Sequence, residues 1–292
     1  MDNGYAYASI FFTARAQLPV IGGLGVSTRR RFLKILVGSI AASLAMLAAL
    51  PASYRYRPRR RAAPTVGPGV VELPLPSLDG RVAVERALAD RRSIREYLDE
   101  PLTLEELAQV LWAAYGVTET RYGFKTSPSA GATYPLEVYA VVAPGGVRLG
   151  EGFLEPGSYR YDPHSHTLSL VRRGDLREEL YRAALDQEWV RAAPVNLVFT
   201  AVFERTTSRY GPRGERYVWI EVGHAGQNVY LQATAMGLAT VAIGAFHDDQ
   251  VLETIGASPG ERAAYIMPLA RPQWRYRLDT ERLREYVERH RG

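Results

Sequence analysis

The 292-residue sequence contains no cysteine. This absence excludes disulfide bonds, a thiolate nucleophile, and zinc or iron–sulfur sites held by cysteine. Two further patterns are missing. The glycine pairs Gly145-Gly146 and Gly150-Glu151-Gly152 stand outside any Walker or Rossmann context, and no serine, histidine and aspartate form a triad pattern. The sequence therefore supports neither nucleophilic catalysis nor a glycine-rich nucleotide loop.

Histidine is scarce, with five residues in the whole chain. His164 and His166 could direct two metal ligands to one face of a strand, but no carboxylate spacing nearby completes a site. Both fall on a predicted hairpin around Asp162-Pro163, so a surface turn is favoured and no metal site is predicted. His224 lies in the longest helical pattern, where it can satisfy buried polar groups.

The positive charge is concentrated at the N-terminus. Ten of the 36 Lys and Arg residues precede residue 65, against one acidic residue, Asp2. The rest of the chain carries 26 basic and 30 acidic groups, so its net charge is −4. A domain that binds nucleic acid usually shows the opposite balance. Nucleic acid is therefore not predicted as a partner.

The first 54 residues have the pattern of a targeting segment. Arg29-Arg30-Arg31 is followed by Phe32-Leu33-Lys34 and then by twenty uncharged residues, 35–54. Paired arginines before a mildly apolar, Ala-rich run indicate a twin-arginine export signal, and the run is at the lower limit for crossing a bilayer. The sequence predicts an extracytoplasmic protein, or one attached to the membrane through 1–54. A cytoplasmic protein with a buried helix is the alternative.

A basic, Pro-rich linker, 55–69, precedes the folded domain, 70–292. In the domain, helical spacing of apolar residues alternates with short apolar runs, which indicates one α+β or α/β domain. Thr103 and Glu106 form a capping box at the start of a helix that Gly116 ends. Helices are predicted at 82–89, 104–115, 175–185, 216–236, 248–255 and 280–290. Strands are predicted at 136–143, 159–162, 167–171, 194–203, 239–246 and 264–270.

Two segments carry candidate binding groups. Three arginines and a serine lie within five residues after the first predicted helix: Arg91, Arg92, Ser93 and Arg95. A guanidinium presents a fork of donors to phosphate oxygens, so this cluster suggests a phosphomonoester site, with a solvated basic turn as the alternative. The loop 127–135, SPSAGATYP, has small residues that would let its backbone approach a flat ligand; an ordinary turn is the alternative.

Six segments occur in this order: RRSIREY, PLTLEELAQVLWAAYGV, PSAGATYPLEVY, EVGHAGQNVYLQATAMGL, AIGAF and ARP. Together they resemble the FMN-dependent nitroreductase superfamily, specifically its SagB-type branch of azoline (thiazole/oxazole-forming) dehydrogenases. The resemblance extends over roughly 70–272; each motif alone is weak, but six in order are specific. It implies a nitroreductase-like α+β fold, with a central mixed sheet flanked by helices, in an interwoven homodimer.

The resemblance also implies that FMN is the cofactor and lies between two subunits, with the helix 216–236 buried at their interface. The implied contacts with its phosphate and ribityl chain are Arg91, Arg92, Ser93 and Arg95, joined from the C-terminal side by Arg271. The other implied flavin contacts are Gly244 and Ala245 at a strand end and, from the second subunit, Pro128, Ser129, Ala130 and Gly131.

Two departures from the family pattern bear on the substrate. Ala132 and Tyr134 stand where nitroreductases proper carry Asn and Gln, which favours the SagB-type branch. Azoline-forming members carry a Lys-Tyr pair before a glycine, and the matching residues here are Arg209 and Tyr210. Arginine stays protonated at neutral pH, whereas lysine can act as a base. Arg209 and Tyr210 are the candidate catalytic residues, with Tyr210 as a proton donor or acceptor.

The predicted function is that of an FMN-dependent oxidoreductase, which passes hydride through flavin N5 in a ping-pong reaction on a small-molecule or peptide substrate. One alternative is a reductase of nitro compounds or quinones that uses NAD(P)H as its donor. The other alternative is not an enzyme: a flavin carrier or sensor without turnover.

Overall fold

A six-stranded sheet is the largest element of the computed structural model, which describes residues 69–291. Every ladder in this sheet is antiparallel. Across the sheet the strands are β1 (Val70–Glu72), β10 (Thr167–Arg173), β9 (Gly157–Asp162), β6 (Leu136–Val142), β11 (Val195–Ala201) and β12 (Arg262–Leu269). Strands β6 and β11 are rich in Val, Leu and other apolar residues and are buried at every position, as a sheet covered on both faces requires.

The helices of the described residues cover both faces of this sheet. They are α1 (Val84–Asp90), α2 (Leu104–Tyr115), α3 (Arg177–Ala183), α4 (Glu188–Ala192), α5 (Glu204–Tyr210), α6 (Gly214–Met236), α7 (Asp248–Ile255) and α8 (Thr280–Arg289). Because side chains alternate along a strand, Val138 and Val142 share one core cluster with α2 and α6, whereas Tyr139 and Val141 share another with α3 and α7. This layered arrangement confirms the α+β class.

Three small sheets complete the strand pairing. They are β2 (Tyr97–Leu98) with β13 (Arg271–Pro272), β4 (Val117–Glu119) with β5 (Phe124–Lys125), and β3 (Leu102–Thr103) with β7 (Val147–Leu149) and β8 (Gly152–Phe153). The parallel pair is β3 with β7. The predicted central mixed sheet is therefore corrected in one respect: within residues 69–291 the main sheet is antiparallel, and the parallel ladder lies in a small sheet beside it.

Helix α2 begins and ends at the predicted residues. The Thr103 hydroxyl accepts from the Glu106 amide, and the Glu106 carboxylate accepts from the Thr103 amide at 2.9 Å. Gly116 follows the last helical residue, Tyr115. The predicted capping box and helix are both confirmed, because the cap depends only on residues three positions apart.

Helix α6 carries small residues where it crosses the sheet. A Cβ on Gly226 would lie 3.2 Å from the Tyr265 ring of β12, so glycine permits a closer approach there. The opposite face of the helix, which includes Ile220, Gly223, His224 and Gln227, is exposed in the single chain. The helix ends at Gly237, whose φ of +72° is the left-handed conformation that glycine adopts readily.

The predicted strand at 239–246 is wrong. This segment makes two isolated bridges, Ala239 to Ala270 and Ile243 to Ile266. Between the bridges its backbone bonds elsewhere: the Thr240 carbonyl accepts from the Ile94 amide, and the Ala242 amide donates to the Tyr230 hydroxyl. Competing partners therefore interrupt the ladder that its apolar sequence predicts.

The predicted leader, 1–54, lies outside the described residues, as does the linker through residue 68. The export signal, the membrane attachment and the domain boundaries therefore stay predictions. Between residues 69 and 291, no helix has both the length and the apolarity needed to cross a membrane.

Candidate functional site

The segment after α1 brings two of the predicted phosphate contacts to one tyrosine. Arg91 ends α1 in an extended conformation, and its guanidinium lies 5.0 Å from the centre of the Tyr230 ring on α6. The Ser93 hydroxyl lies 2.8 Å from the Tyr230 hydroxyl, which also accepts from the Ala242 amide at 2.8 Å. We call Arg91, Ser93, Arg95 and Tyr230 the arginine cluster.

Arg95 extends this cluster toward the predicted ring contacts. Its guanidinium lies 5.2 Å from the centre of the Trp189 ring, and neighbouring Gln187 donates to the Ala245 carbonyl at 3.0 Å. Gly244 and Ala245 are both exposed. Arg91 and Ser93 share Tyr230 as a partner, whereas Arg95 contacts a different ring.

Arg92 and Arg271 have other partners. The Arg92 guanidinium stacks 3.6 Å from the centre of the Tyr276 ring and donates to two backbone carbonyls. Arg271 makes a bidentate ion pair with Glu106, at 2.7 and 2.9 Å. Glu106 is also part of the α2 capping box, so its ion pair connects Arg271 to the start of this helix.

A cavity of about 310 Å³ lies beside Arg92 and has a strongly basic lining. Arg275 and Arg277, which our sequence analysis did not single out, line it together with Arg86 and the acidic Asp90. The signal was present in the sequence as PQWRYR, residues 272–277, directly after the predicted Arg271. A second group of cations therefore lies near the segment 91–95.

The loop 127–134 is held in a strained conformation. The Ser127 hydroxyl anchors its start by donating to the Ala114 carbonyl at 2.8 Å. Gly131, Ala132 and Tyr134 all have positive φ, of +58°, +53° and +46°. Two of these residues are not glycine, so the surrounding contacts must impose the conformation, as they commonly do at functional sites.

Arg209 and Tyr210, the candidate catalytic residues, meet this loop. Arg209 donates from Nη1 to the Gly131 carbonyl at 2.9 Å. A Cβ on Gly131 would lie 2.5 Å from the Tyr210 hydroxyl and 2.7 Å from Arg209 Nη1. The glycine therefore leaves the space that both side chains occupy, and the structure brings together two features that lie about eighty residues apart in the sequence.

Behind the loop lies a buried carboxyl that our sequence analysis missed. Glu221 of α6 accepts from the Tyr115 hydroxyl at 2.5 Å. Burial raises the pKa of Glu221 to about 7, against the opposing effects of Ser129, Tyr115 and the positive Lys125. The only sequence signal is an acidic residue on the apolar side of a helix.

Helix α6 connects the two halves of the candidate site. Glu221 and Asn228, two turns apart, face the loop side, where Asn228 donates to the Ser127 hydroxyl at 3.2 Å. Tyr230 belongs to the arginine cluster, nine residues from Glu221, which is about 13 Å along a helix axis. The two halves thus share one rigid support.

His166, one of the two hairpin histidines, has a partner at each ring nitrogen. His166 places one ring nitrogen 2.9 Å from the Tyr161 hydroxyl and the other 2.9 Å from the Pro74 carbonyl, so both are engaged. In the described part of the chain, no three His, Asp or Glu residues converge as metal ligands.

A model of the nitroreductase family matches residues 88–271, more than half of the chain. The chain belongs to the nitroreductase family. It is thereby placed among oxidoreductases, and the resemblance stated from the sequence motifs is confirmed. The matched region contains the arginine cluster, the loop 127–134, Arg209, Tyr210 and Arg271.

Relatives of this nitroreductase come from archaea and bacteria. The candidate nitroreductase MJ1384 of Methanocaldococcus jannaschii is 47% identical over 201 residues, which are 69% of this chain and 96% of the relative. The microcin B17-processing protein McbC of Escherichia coli is 28% identical over 160 residues, 53% of this chain and 56% of McbC. The chain thus spans nearly all of the first relative but only about half of the second.

Solved structures agree with the fold. A candidate nitroreductase from Ralstonia eutropha superposes with a TM-score of 0.61 at 29% identity, over 73% of this chain and 94% of that one. A chain of the E. coli microcin synthetase McbBCD complex gives a TM-score of 0.54 at 21% identity, over 76% of this chain and 82% of that one. The second likeness supports the fold alone. The individual site roles stay predictions.

The Glu221 carboxyl makes stability depend on pH. An unfolded glutamate has a pKa of about 4.3, whereas the folded chain holds that proton up to about pH 7. The folded state therefore binds more protons between these values, and the free energy of unfolding falls as the pH rises through them. From pH 5 to pH 8 we therefore expect the free energy of unfolding of the wild type to fall by about 2–3 kcal/mol relative to that of Glu221→Gln. Urea unfolding of both proteins at pH 5 and pH 8 measures this change. If the wild type and the variant differ by the same free energy at both pH values, the raised pKa is contradicted.

Proposed function

We propose that this nitroreductase is an FMN-dependent oxidoreductase that transfers hydride by a ping-pong reaction, close to the SagB-type branch. The observation that carries the proposal is the arginine cluster, because Arg91 and Ser93 meet at Tyr230 and Arg95 lies at Trp189, two residues from the Gln187 that contacts the exposed Ala245. Two guanidiniums and a hydroxyl suit a phosphate, and small residues next to them suit a flat ring.

The chemistry of these residues suits the phosphate and ribityl chain of a flavin. The Arg91 and Arg95 guanidiniums pack on aromatic rings, so their charges are partly shielded from water and are available to an anion. Either hydroxyl can donate in the bond between Ser93 and Tyr230; when Tyr230 donates, the Ser93 proton is available to a ligand. These groups would hold the phosphate and ribityl chain.

The loop 127–134 is proposed to complete the site from a second subunit. Its outward residues, Pro128 and Gly131, are exposed, and so is the outer face of α6 with Ile220 and Gly223. An exposed helix face with small residues suits close packing of two helices. A homodimer would therefore cover the face of α6 and bring each loop to the other subunit's arginine cluster.

When bound, the flavin accepts hydride from a donor and later gives it to an acceptor. The chain's own groups position the reactants. Tyr210 can donate or accept a proton at the Gly131 end of the loop, while Arg209 stays protonated and holds the Gly131 carbonyl. A guanidinium does not act as a base, so this arginine disfavours a peptide azoline as the hydride donor, because that oxidation needs a proton acceptor such as lysine.

The first test is flavin binding and turnover. We expect the purified chain to bind FMN and, without oxygen, to lose its yellow colour with NADPH or NADH and recover it with a quinone or nitroaromatic acceptor. Absorbance spectra record both steps. Bound flavin that only dithionite reduces would indicate a carrier or sensor, and a protein that stays colourless in excess FMN would contradict the proposal.

The arginines are tested by alanine substitution. A charge-assisted hydrogen bond contributes about 1.5–3 kcal/mol, so Arg91→Ala and Arg95→Ala should weaken FMN binding about 10- to 100-fold. We expect smaller losses for Arg92→Ala and Arg271→Ala, because Tyr276 and Glu106 already engage these side chains. Flavin fluorescence titration measures the affinities, with the exposed Arg284→Ala as control. Equal losses of FMN affinity at all four arginines would instead favour the sequence-based prediction, in which all four contact the cofactor.

The loop contact is tested with two glycines. Gly131 and Gly145 have similar φ values, +58° and +65°, but only Gly131 has side chains where a Cβ would stand. Both alanine variants should lose about 1 kcal/mol of stability. Gly131→Ala should also lower kcat/KM about tenfold or more, because it displaces Arg209 and Tyr210. Equal activity of the two variants would show that the contact has no role in turnover.

A further inference from the structure

Helix α5 contacts the loop 127–134 through two side chains that the proposed reaction does not use. Arg205 donates from Nη1 to the Tyr134 carbonyl at 3.1 Å. The Thr206 hydroxyl lies 2.8 Å from the Thr133 hydroxyl. The two side chains are adjacent on α5 and their partners are adjacent in the loop, so the helix holds the C-terminal end of the loop at two successive residues.

The Thr206 hydroxyl is the donor in its bond with Thr133. Thr133 donates its own hydroxyl proton to the Ala130 carbonyl at 3.0 Å. Because a hydroxyl has one proton, Thr133 can only accept from Thr206. Thr206 is 1% exposed, so water has little access to this bond. A chain of two hydrogen bonds therefore runs from the helix to the middle of the loop.

A buried carboxylate fixes the side chain of Arg205. Its Nη2 donates to Glu137 Oε1 at 2.5 Å, while its Nη1 donates to the Tyr134 carbonyl. Glu137 is 4% exposed and also pairs with Arg160 at 2.7 Å. A guanidinium is a rigid planar fork, so the bond to Glu137 also sets the direction of the nitrogen that faces the loop.

The loop needs support from outside because its backbone is strained. Ala132 and Tyr134 have φ values of +53° and +46°, in the left-handed region that is unfavourable for residues with a Cβ. Such residues keep this conformation only when neighbouring contacts impose it. The bond from Thr206 ends at Thr133, between the two strained residues, and the bond from Arg205 ends at Tyr134 itself.

Helix α5 also ends in Tyr210, the candidate proton donor or acceptor. Its hydroxyl adjoins the loop, since a Cβ on Gly131 would lie 2.5 Å from it. Arg209 is exposed, so water competes for its bond to the Gly131 carbonyl. The more shielded bonds of Arg205 and Thr206 therefore hold the loop more firmly against the end of α5.

We propose that Arg205 and Thr206 are positioning residues for the reaction, because they fix the loop 127–134 at one distance from the Tyr210 hydroxyl. The loop and the group that transfers the proton then meet the flavin and its substrate as one unit. Loss of either side chain leaves Tyr210 on α5 but lets the loop move away from it. The inference rests on the proposed function, which gives Tyr210 its role.

The chain offers a matched control for each residue. Arg205→Gln and Arg160→Gln both leave Glu137 with one of its two guanidinium partners. Arg160 lies on β9, and the hydrogen bond from its Nε also goes to Glu137. Thr207→Val removes a hydroxyl of α5 that donates to the Phe203 carbonyl at 3.2 Å, and it serves as the control for Thr206→Val.

Turnover of the FMN-loaded protein, with NADPH or NADH as donor and a quinone as acceptor, tests the two residues. In Arg205→Gln and Thr206→Val, kcat should fall about tenfold with KM unchanged, because a misplaced loop affects the transition state and not substrate binding. Arg160→Gln and Thr207→Val should keep the wild-type kcat. Thr206→Ser restores the hydroxyl and should recover it. Thr206→Val removes a single hydroxyl and also covers the case in which Arg205→Gln does not fold.

A double-mutant cycle shows whether Arg205 acts through Tyr210. In a Tyr210→Phe background the hydroxyl to be positioned is gone, so Arg205→Gln should lower kcat by less than about twofold further. A purely structural role would multiply the two losses. Independent losses of kcat, or full activity of Tyr210→Phe alone, would overturn the inference.

Amide hydrogen exchange of the apoprotein gives a readout that needs no flavin. Loss of one hydrogen bond should speed exchange in peptides that cover 129–134 about fivefold in Arg205→Gln and Thr206→Val, but not in the two controls. Unchanged exchange would overturn the inference, and so would faster exchange with a wild-type kcat; both results leave the proposed function intact. Failure of the wild type to bind FMN would instead contradict the proposed function.

Discussion

The packing of helix α6 against strand β12 is the contact on which both halves of the candidate site depend. Gly226 lets the helix approach the Tyr265 ring, and Ala225 and Ala233 are fully buried on neighbouring turns. A bulky side chain at these positions would move the whole helix away from the sheet. Because Glu221 and Tyr230 lie on α6, such a displacement would disturb the loop 127–134 and the arginine cluster together.

The chain accommodates its buried carboxylates in different ways. Glu137 pairs with two guanidiniums, Arg160 at 2.7 Å and Arg205 at 2.5 Å, and this network secures the end of the loop through the Tyr134 carbonyl. Glu221 instead accepts from the Tyr115 hydroxyl and has a single ammonium, that of Lys125, acting on it. Burial outweighs this weaker compensation and raises the pKa of Glu221 to about 7.

Family membership and detailed chemistry rest on different observations. The family match over 88–271 identifies a member of the nitroreductase family, and the relatives include both a candidate nitroreductase and a microcin-processing protein. Arg209 stands where azoline-forming members carry lysine, and the structure engages it with the Gly131 carbonyl. The geometry of the loop therefore uses the arginine as a donor, a role that a guanidinium performs at any physiological pH.

The sequence by itself determined the elements whose causes are local. The α2 capping box, the stop at Gly237 and the strand β11 follow from side chains a few residues apart or from a continuous apolar run. The order of six motifs was enough to name the family, because each motif records a local requirement of the same fold.

The tertiary structure alone decided which of the predicted site residues lie close together. It separated Arg92 from Arg91 and Arg95, paired Arg271 with Glu106, and interrupted the expected strand at 239–246. It also placed Glu221 against Tyr115, which no local pattern indicates. These outcomes depend on contacts between residues far apart in the chain, and such contacts exist only when the sheet and α6 have packed.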